Sequence, residues 1–395
     1  MVDISLQSGI KFEARDVRGL PRFEAKPQSQ FRSYAMLAYT LLSLVFIMSG
    51  LAGVWYGNQV YGPEMYSSTG LLPAVQAFEK GQNYAVFDLN LNIRKLHELQ
   101  VSRMTETPDV VIIGASHWQE AHSDLLKGLK LYNSHIHRDF WEDLLGAPYI
   151  FAHNHRLPKR MIISIRDNQF RPITTRPDYL WEPGIANYRL MADEIGVEKQ
   201  SYWTTFPYQR IRQLFSISML FDNVTRWYNA DVHPHATDDL RSEKLDTLLP
   251  DGSIMWSKAH LAFFSQDRMK KEAMALADLR RNDPPQVEKR GVDAFEKLLD
   301  YLKSQGVKVY LAQPPFNPIY YDNLQGSDYF EGLNKVDKLT RDIAARHGLK
   351  MIGGFNPHKV GCTSDMYIDA EHSNPACLKN IFDEFAQIVK SEGGK

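Results

Sequence analysis

The sequence predicts an α/β protein with a parallel sheet, one large insertion and one N-terminal transmembrane helix. Two observations lead to this fold class. Continuous apolar runs alternate with stretches of helical periodicity, which is typical of a parallel sheet buried on both faces. In addition, no residue of 33–63 is charged, and an apolar stretch of this length is sufficient to cross a membrane.

The composition excludes some function classes. The 395 residues are 44% hydrophobic and 24% charged, and the formal net charge is −1. This is the composition of an ordinary globular protein, with length for one large domain or two modest ones. Basic and acidic residues nearly cancel and no basic block stands out, so we predict no nucleic-acid partner.

The apolar stretch 34–56 is the predicted transmembrane helix. The arm that precedes it, residues 1–33, contains several basic residues, namely Lys11, Arg15, Arg18, Arg22, Lys26 and Arg32. The segment that follows begins without charge, so the excess of Lys and Arg predicts a cytoplasmic arm and an extracytoplasmic main domain. A cleaved signal peptide and a buried core helix are the competing interpretations, but the polar arm is long for a signal peptide.

The rest of the chain is divided by its apolar runs. We predict a membrane-proximal connector over 57–104, helical from 76 to 103, and then a main domain over 105–391. The strand candidates of this domain are 110–114, 129–133, 160–165, 307–313 and 349–354. The clearest helix candidates are 292–304, 329–347 and 374–391. An insertion of about 169–290 separates the third and fourth strands and is rich in aromatic residues, among them Trp181, Trp203, Trp227 and Trp256.

Ser116 is the first candidate for chemistry. It follows the first strand candidate at the predicted start of a helix, and functional groups of open parallel sheets gather beyond the carboxyl ends of the strands. A hydroxyl there is placed to attack a carbonyl, while helix N-terminal amides stabilise the oxyanion. The alternative is that Ser116 only caps a helix.

A serine nucleophile needs a base that is itself oriented by a third group. Asp369 and His372 are separated by two residues and lie just before the last predicted helix. In a turn this spacing lets the carboxylate hold one imidazole nitrogen while the other nitrogen faces the serine. The alternative is an acidic helix cap beside a surface histidine.

The combined motifs resemble those of the SGNH (GDSL-type) hydrolase and acyltransferase superfamily. Gly-Ala-Ser at 114–116 follows the first strand, and Asp369 and His372 form a DxxH pattern before the final helix. The resemblance implies a flavodoxin-like three-layer α/β/α fold over 105–391, with Ser116 as nucleophile, His372 as base and Asp369 as its orienting acid. It also implies an oxyanion donor after the third strand, where Asn168 stands.

One family position differs in this chain. The family has a backbone glycine as oxyanion donor after the second strand, and the corresponding residues 131–141 contain no glycine. Asn133, or a backbone amide near His135, is the candidate substitute.

The predicted topology narrows the resemblance. A cytoplasmic arm, one membrane helix and an outer domain with a large insertion resemble the membrane-anchored accessory proteins of cell-envelope acylation, such as DltD and the alginate and peptidoglycan O-acetylation proteins. This resemblance implies a bacterial inner-membrane protein with a periplasmic domain and a multispanning membrane O-acyltransferase as partner. The implied reaction is transfer of a small acyl group, expected to be acetyl, to or from a polysaccharide hydroxyl through an acyl-serine. An envelope carbohydrate esterase and a non-catalytic polysaccharide-binding or scaffold protein are the alternatives.

The histidine and cysteine patterns raise the questions of a metal site and of a disulfide. Three H-x-H pairs occur, His135 with His137, His153 with His155, and His233 with His235, but none has an evident third ligand. We therefore expect no metal and no cofactor. Cys362 and Cys377 are either bridged, as an oxidising compartment favours, or two buried thiols.

Overall fold

The computed structural model describes residues 28–61, 68–86, 92–137, 140–172, 185–198 and 215–393. Most of the predicted cytoplasmic arm and parts of the predicted insertion, with Trp181 and Trp203, lie outside the described residues. The contacts divide the chain into two units, Met1–Gly53 and Val54–Lys395, which are described separately.

Helices and strands alternate along the described chain. The helices are α1 (Gln28–Tyr61), α2 (Ser68–Glu79), α3 (Ile93–Ser102), α4 (Trp141–His153), α5 (Ile185–Glu194), α6 (Ile217–Asn229), α7 (Lys258–Phe263), α8 (Gln266–Arg280), α9 (Lys289–Ser304), α10 (Pro318–Leu324), α11 (Asp328–His347), α12 (Pro357–Val360) and α13 (Pro375–Ser391). The strands are β1 (Asn83–Val86), β2 (Val110–Ala115), β3 (Leu131–Ile136), β4 (Arg160–Ser164), β5 (His235–Thr237), β6 (Asp246–Leu248), β7 (Ile254–Met255), β8 (Lys308–Gln313) and β9 (Lys350–Gly353).

Helix α1 contains the predicted apolar segment. Its stretch Ser33–Asn58 is long and apolar enough to cross a membrane, and the most apolar 18 residues of that stretch are not buried by protein. The expectation of one such N-terminal helix is confirmed, with a span slightly longer than predicted. Its orientation in a membrane stays a prediction.

Five parallel strands form the central sheet, as predicted. Their order is β3-β2-β4-β8-β9, so the strands follow the order 2-1-3-4-5 when numbered along the chain. Four of the strand candidates nearly coincide with the observed strands. The second is displaced from 129–133 to Leu131–Ile136, because Gly128 adopts a positive φ of 84° and residues 128–130 complete a turn.

Both faces of this sheet are covered by apolar side chains. Val111 and Ile113 of β2 belong to a core cluster that also contains residues of α4 and α9. Val110 and Ile112, which point to the opposite face, belong to a second cluster with residues of α13. This two-sided burial explains why the strands read as continuous apolar runs.

A second, antiparallel sheet was not predicted. Its order is β5-β1-β6-β7, so a strand of the connector pairs with strands of the insertion. The prediction of a helical connector from 76 to 103 is wrong at β1, which separates α2 from α3. Strand β1 is only four residues long and its partners are distant in sequence, so it left no local signal.

Candidate active site

Ser116 stands at the carboxyl end of β2, which lies between β3 and β4 in the parallel sheet. It is the first residue of a short 3-10 turn over Ser116–Trp118 that follows the strand directly. Gly114 is required by packing, since a Cβ there would lie 2.7 Å from the Cβ of Ser164 and 3.0 Å from the indole Cδ1 of Trp118. The indole N–H of Trp118 donates to the Ser164 hydroxyl at 2.7 Å, which fixes the turn that carries Ser116 against β4.

His372 and Asp369 meet Ser116 from the other end of the chain. The Nε2 atom of His372 lies 2.9 Å from the Oγ of Ser116, and its Nδ1 lies 2.7 Å from the Oδ2 of Asp369. The other carboxylate oxygen of Asp369 accepts hydrogen bonds from the backbone N–H groups of Glu371 at 2.8 Å and His372 at 2.7 Å. These bonds hold the imidazole at a fixed angle to the serine. The three residues therefore have the distances of a hydroxyl nucleophile, a base and an orienting carboxylate.

The loop that presents Asp369 and His372 is closed at both ends. Tyr367 and Ser373 form an antiparallel bridge, and the N–H of Ile368 donates to the carbonyl of His372 at 2.9 Å. Cys362 and Cys377 form a disulfide across this segment. The bridge, which the sequence left open beside two free thiols, thus brackets both residues.

The negative charges around His372 raise the pKa of its imidazole, which makes it a stronger base. Burial by itself lowers the pKa of His372, but the carboxylates of Asp369, Glu371 and Glu120 outweigh it and raise the pKa above 6.5. Burial would raise the pKa of Asp369, whereas the charge and hydrogen bonds of His372 and the backbone N–H groups lower it to about 2. Asp369 is therefore ionised at neutral pH and stabilises a protonated His372.

Asn168, the predicted oxyanion donor, follows β4 and is buried. Its side-chain amide donates to the carboxylate of Asp167 at 2.6 Å, and Asp167 also accepts a hydrogen bond from the hydroxyl of Tyr329. In the part of the chain that the structure describes, Asn168 forms no hydrogen bond with Ser116 or His372. The second hydrogen of the amide is the one that remains for a ligand.

Asn133 is the predicted substitute for the missing glycine. The hydrogen-bonding groups of its side chain are already paired within the protein. Its amide donates to the carbonyls of Trp118 at 2.6 Å and Ala121 at 3.1 Å, and its oxygen accepts from the N–H of His135 at 3.1 Å. Both hydrogens of the amide and the His135 amide are thus engaged. Asn133 supports the loop after Ser116 and is not a free donor.

The predicted insertion closes the edge of the sheet beside this loop. The N–H of Asn133 on the edge strand β3 donates to the carbonyl of Asp251 at 2.6 Å. Gly252 must be glycine there, because its φ is +81° and a Cβ would lie 2.3 Å from the carbonyl oxygen of Asn133. Asp251 also accepts hydrogen bonds from the N–H and hydroxyl of Ser123, at 2.7 and 2.6 Å.

Trp256, also from the insertion, covers the imidazole of His372. The two rings are edge to face with centroids 5.2 Å apart. The backbone N–H of Trp256 donates to the buried carboxylate of Glu120 at 3.0 Å, and Arg241 forms an ion pair with the same carboxylate oxygen at 2.9 Å. Glu120 thus links the loop after Ser116 to the insertion and places a negative charge near His372.

An aromatic stack leads outward from Trp256. His260 lies on Trp256 with ring centroids 4.5 Å apart, and Phe264 follows at 5.3 Å from His260. A cavity of about 460 Å³ adjoins this stack and the loop that carries His372. Its lining includes Glu120, Arg241, Phe264, Gln266, Ile368 and Asn374. The cavity therefore has polar groups and aromatic side chains beside the loop that carries His372.

His117, next to Ser116, is a buried imidazole at the same site. Its ring centroid lies 5.7 Å from that of His372. Burial, with the charges of His372 and Arg166, lowers its pKa to about 3, so the ring is neutral at physiological pH. Neither ring nitrogen has a hydrogen-bond partner in the described part of the chain.

The H-x-H pairs do not assemble a metal centre in the part of the chain that the structure describes. There, no group of three or more His, Cys, Asp or Glu side chains has the arrangement of a metal site. His135 packs against His137 and against His97, with ring centroids 5.5 and 5.9 Å apart. His235 instead contacts the carbonyl of His233 through its Nδ1 atom at 2.8 Å.

Sequence reasoning missed Glu120, Arg241 and the role of Trp256. Trp256 was visible only as one aromatic residue of the insertion, and a buried carboxylate such as Glu120 has no signature in a single sequence. The sequence signal that could have located this region is the Pro-Asp-Gly-Ser turn at 250–253, whose glycine fits against Asn133.

A comparison with models of protein families and a comparison with curated proteins found no match to this sequence.

Proposed function

We propose that the protein transfers a small acyl group, expected to be acetyl, to or from a cell-envelope or extracellular polysaccharide through an acyl-Ser116 intermediate. The observation that carries this proposal is the hydrogen-bonded chain from Ser116 through His372 to Asp369. A serine hydroxyl, a partly buried imidazole and a partly buried carboxylate in this order support nucleophilic acyl transfer.

The proposed reaction has two halves. The Oγ of Ser116 attacks the acyl carbonyl while Nε2 of His372 takes the hydroxyl proton, and His372 returns that proton to the oxygen of the leaving group. An acceptor hydroxyl then gives its proton to His372 and attacks the acyl-serine, and His372 returns that proton to the Oγ of Ser116 as the bond between the acyl carbon and the serine breaks. Asp369 accepts the Nδ1–H hydrogen bond throughout and stabilises the imidazolium that forms in each half.

We further propose that the main domain has the flavodoxin-like α/β/α fold of the SGNH superfamily. The strand order 2-1-3-4-5, the serine after the first strand and the Asp-x-x-His loop before the last helix support this assignment. Asn168 after the third strand supports it as well, with its free amide hydrogen in the role of oxyanion donor. The absence of the second-strand glycine means that the oxyanion hole differs from the family pattern.

The cavity beside the triad is the proposed acceptor site. Phe264 offers an aromatic face on which a sugar ring packs, and Arg241, Gln266 and Asn374 offer polar groups for sugar hydroxyls. The positive charge of Arg241 is paired with Glu120, so the polar side of the cavity suits a hydroxylated ligand without requiring a charged one.

Membrane attachment and a partner belong to the same proposal. The apolar helix α1 supports a single-pass protein of the bacterial inner membrane with a cytoplasmic N-terminus and a periplasmic domain. The Cys362–Cys377 disulfide supports an oxidising compartment for that domain. We propose a multispanning O-acyltransferase as the membrane partner that supplies the acyl group, and its co-purification with the full chain tests this.

A serine-directed fluorophosphonate probe tests the central proposal. The full-length protein should be labelled at Ser116, and Ser116→Ala should not be labelled, whereas the surface variant Ser304→Ala should label like the native protein. A labelled acetyl donor then separates transfer from hydrolysis. Label in an oligosaccharide product supports the transferase, release only as free acetate identifies an esterase, and no labelling of the native protein favours a non-catalytic binding protein.

A further inference from the structure

Helix α6 carries large apolar side chains that are mostly exposed on one face. Ile217, Phe221 and Tyr228 recur at helical spacing on one side of the helix, and their side chains are 60%, 66% and 72% exposed. Ser218 and Asp222 lie on the other side. We call the surface formed by Ile217, Phe221 and Tyr228 the apolar face of α6. Clustered large apolar side chains on a surface mark an interaction site.

The start of α6 is tied to the end of the membrane-length segment. Asn58, the last residue of that segment, is buried, and its side-chain amide donates to the carbonyl of Ser216 at 3.1 Å. Leu220 packs so closely on Gly57 that a Cβ at this glycine would lie 2.5 Å from the leucine Cδ1 atom. The first turn of α6 is therefore held at the residues where the chain would leave the membrane.

We propose that α6 lies in the interface of the bilayer on the exit side of the membrane helix, with its apolar face in the lipid. This inference depends on the membrane anchor proposed above and not on the chemistry of Ser116. An amphipathic helix in this position buries its apolar side chains ~5–10 Å into the boundary between headgroups and acyl chains. The hydrogen bond between Asn58 and Ser216 holds the first turn of α6 at the end of the membrane-length segment. We therefore expect lipid, and not another protein surface, to cover the apolar face of α6.

The polar side of α6 supports the same orientation. Asp222 is exposed and lies on the side of the helix away from Ile217 and Tyr228. Immersion of the apolar face leaves this carboxylate in water, so no charge of the described side chains on α6 has to enter the hydrocarbon. Helix α6 belongs to the predicted insertion, so this segment of the insertion would contact the membrane surface directly.

Single-cysteine labelling of the full-length protein tests the proposal. The two native cysteines are bonded to each other, so an introduced cysteine is the only free thiol. The variants are Phe221→Cys on the apolar face, Asp222→Cys as the matched control one residue away, and Leu44→Cys within the membrane-length segment. Each is labelled with an environment-sensitive fluorophore and reconstituted into vesicles of phosphatidylcholine and phosphatidylglycerol, with and without nitroxide-labelled lipid.

Nitroxide lipid should quench the label at position 44 and the label at position 221, with quenching at 221 several-fold stronger than at 222. Equal, weak quenching at 221 and 222 with strong quenching at 44 would overturn the proposal while leaving the anchor intact. A label at 221 that is shielded from water but not quenched would also overturn it, because a protein surface would then cover the helix. Loss of quenching at 44 would remove the anchor and this inference together, and Tyr228→Cys provides a second position on the same face.

Discussion

The Nε2 atom of His372 lies 2.9 Å from the hydroxyl oxygen of Ser116, although the two residues are 256 positions apart. The parallel sheet produces this proximity, because Ser116 directly follows strand β2 and the loop before the last helix returns to the same edge of the sheet. The disulfide and the Tyr367–Ser373 bridge then fix that loop. A base at hydrogen-bond distance from a serine is the geometric requirement for nucleophilic catalysis, and several predictions can be tested on it.

Substitutions in the candidate triad should reduce acyl transfer far more than they reduce the stability of the fold. We expect Ser116→Ala to abolish acyl transfer and to lower the free energy of unfolding by at most about 1 kcal/mol, because the substitution removes one hydroxyl and leaves the core unchanged. His372→Ala should be nearly as damaging, and the double variant little worse than either single variant, since residues that act as one unit are not additive. Asp369→Asn should be impaired less completely. Steady-state kinetics and denaturant unfolding measure the two effects.

Two results would contradict the assignment of Ser116 as nucleophile and His372 as its base. If Ser116→Ala retains acyl transfer while Ser304→Ala behaves like the native protein, Ser116 is not the nucleophile. Full additivity of the Ser116 and His372 substitutions would likewise show that the two side chains do not act together.

The pH dependence should report His372. The base must be neutral to accept the serine proton, and its pKa is raised above 6.5, so activity should fall as pH drops through a midpoint above 6.5. Asp369→Asn removes the largest charge that raises this pKa, so the acid limb should move to lower pH while the rate decreases. His117, with a pKa of about 3, is already neutral and should add no limb near neutrality. The pH profile of kcat/KM checks both, and a limb that stays in place in Asp369→Asn would contradict the assignment.

The sequence predicted much of the sheet and the three residues of the triad because these depend on local patterns. Continuous apolar runs revealed the strands, and the motifs at 114–116 and 369–372 lie directly at strand or helix ends. The antiparallel sheet escaped prediction because β1 pairs with residues about 150 positions away. Sequence reasoning missed Glu120 and assigned Asn133 a different role for a related reason, since their roles arise from contacts with Trp256 and with the loop at 118–121 that only the folded chain brings together.

Glu120 should act as a positioning residue for His372. Its carboxylate accepts from the N–H of Trp256 and from Arg241, and its charge helps to raise the pKa of His372. We expect Glu120→Gln to move the acid limb of kcat/KM to lower pH and to reduce the rate. The matched control is Glu243→Gln, which removes an exposed ion pair with Lys258 and should change neither. An unchanged acid limb in Glu120→Gln would leave Glu120 with a purely structural role.

The disulfide should stabilise the loop that presents the base. Cys362 and Cys377 are 15 positions apart, and a bridge that closes a loop of this length contributes roughly 3 kcal/mol in the chain-entropy model. We expect reductant, or Cys362→Ala with Cys377→Ala, to lower the free energy of unfolding by about this amount and to lower kcat. Mass spectrometry of non-reduced peptides should show the linked pair. Two freely alkylated thiols in protein isolated from its native compartment would contradict the bridge.

Phe264 should determine affinity for the acceptor without taking part in the chemistry at Ser116. It is the outer ring of the stack that begins at Trp256, and it lines the cavity beside the triad, whereas its neighbour Phe263 is 58% exposed and does not line that cavity. We expect Phe264→Ala to lower kcat/KM for an oligosaccharide acceptor by about tenfold, which corresponds to ~1.4 kcal/mol of lost binding. Labelling of Ser116 by a fluorophosphonate should keep its native rate, because the probe does not need the acceptor site.

Phe263→Ala is the matched control, since it removes an aromatic ring of the same size from the same turn. Equal losses in both variants would indicate a general disturbance of the turn, and native kinetics in Phe264→Ala would show that the acceptor binds elsewhere.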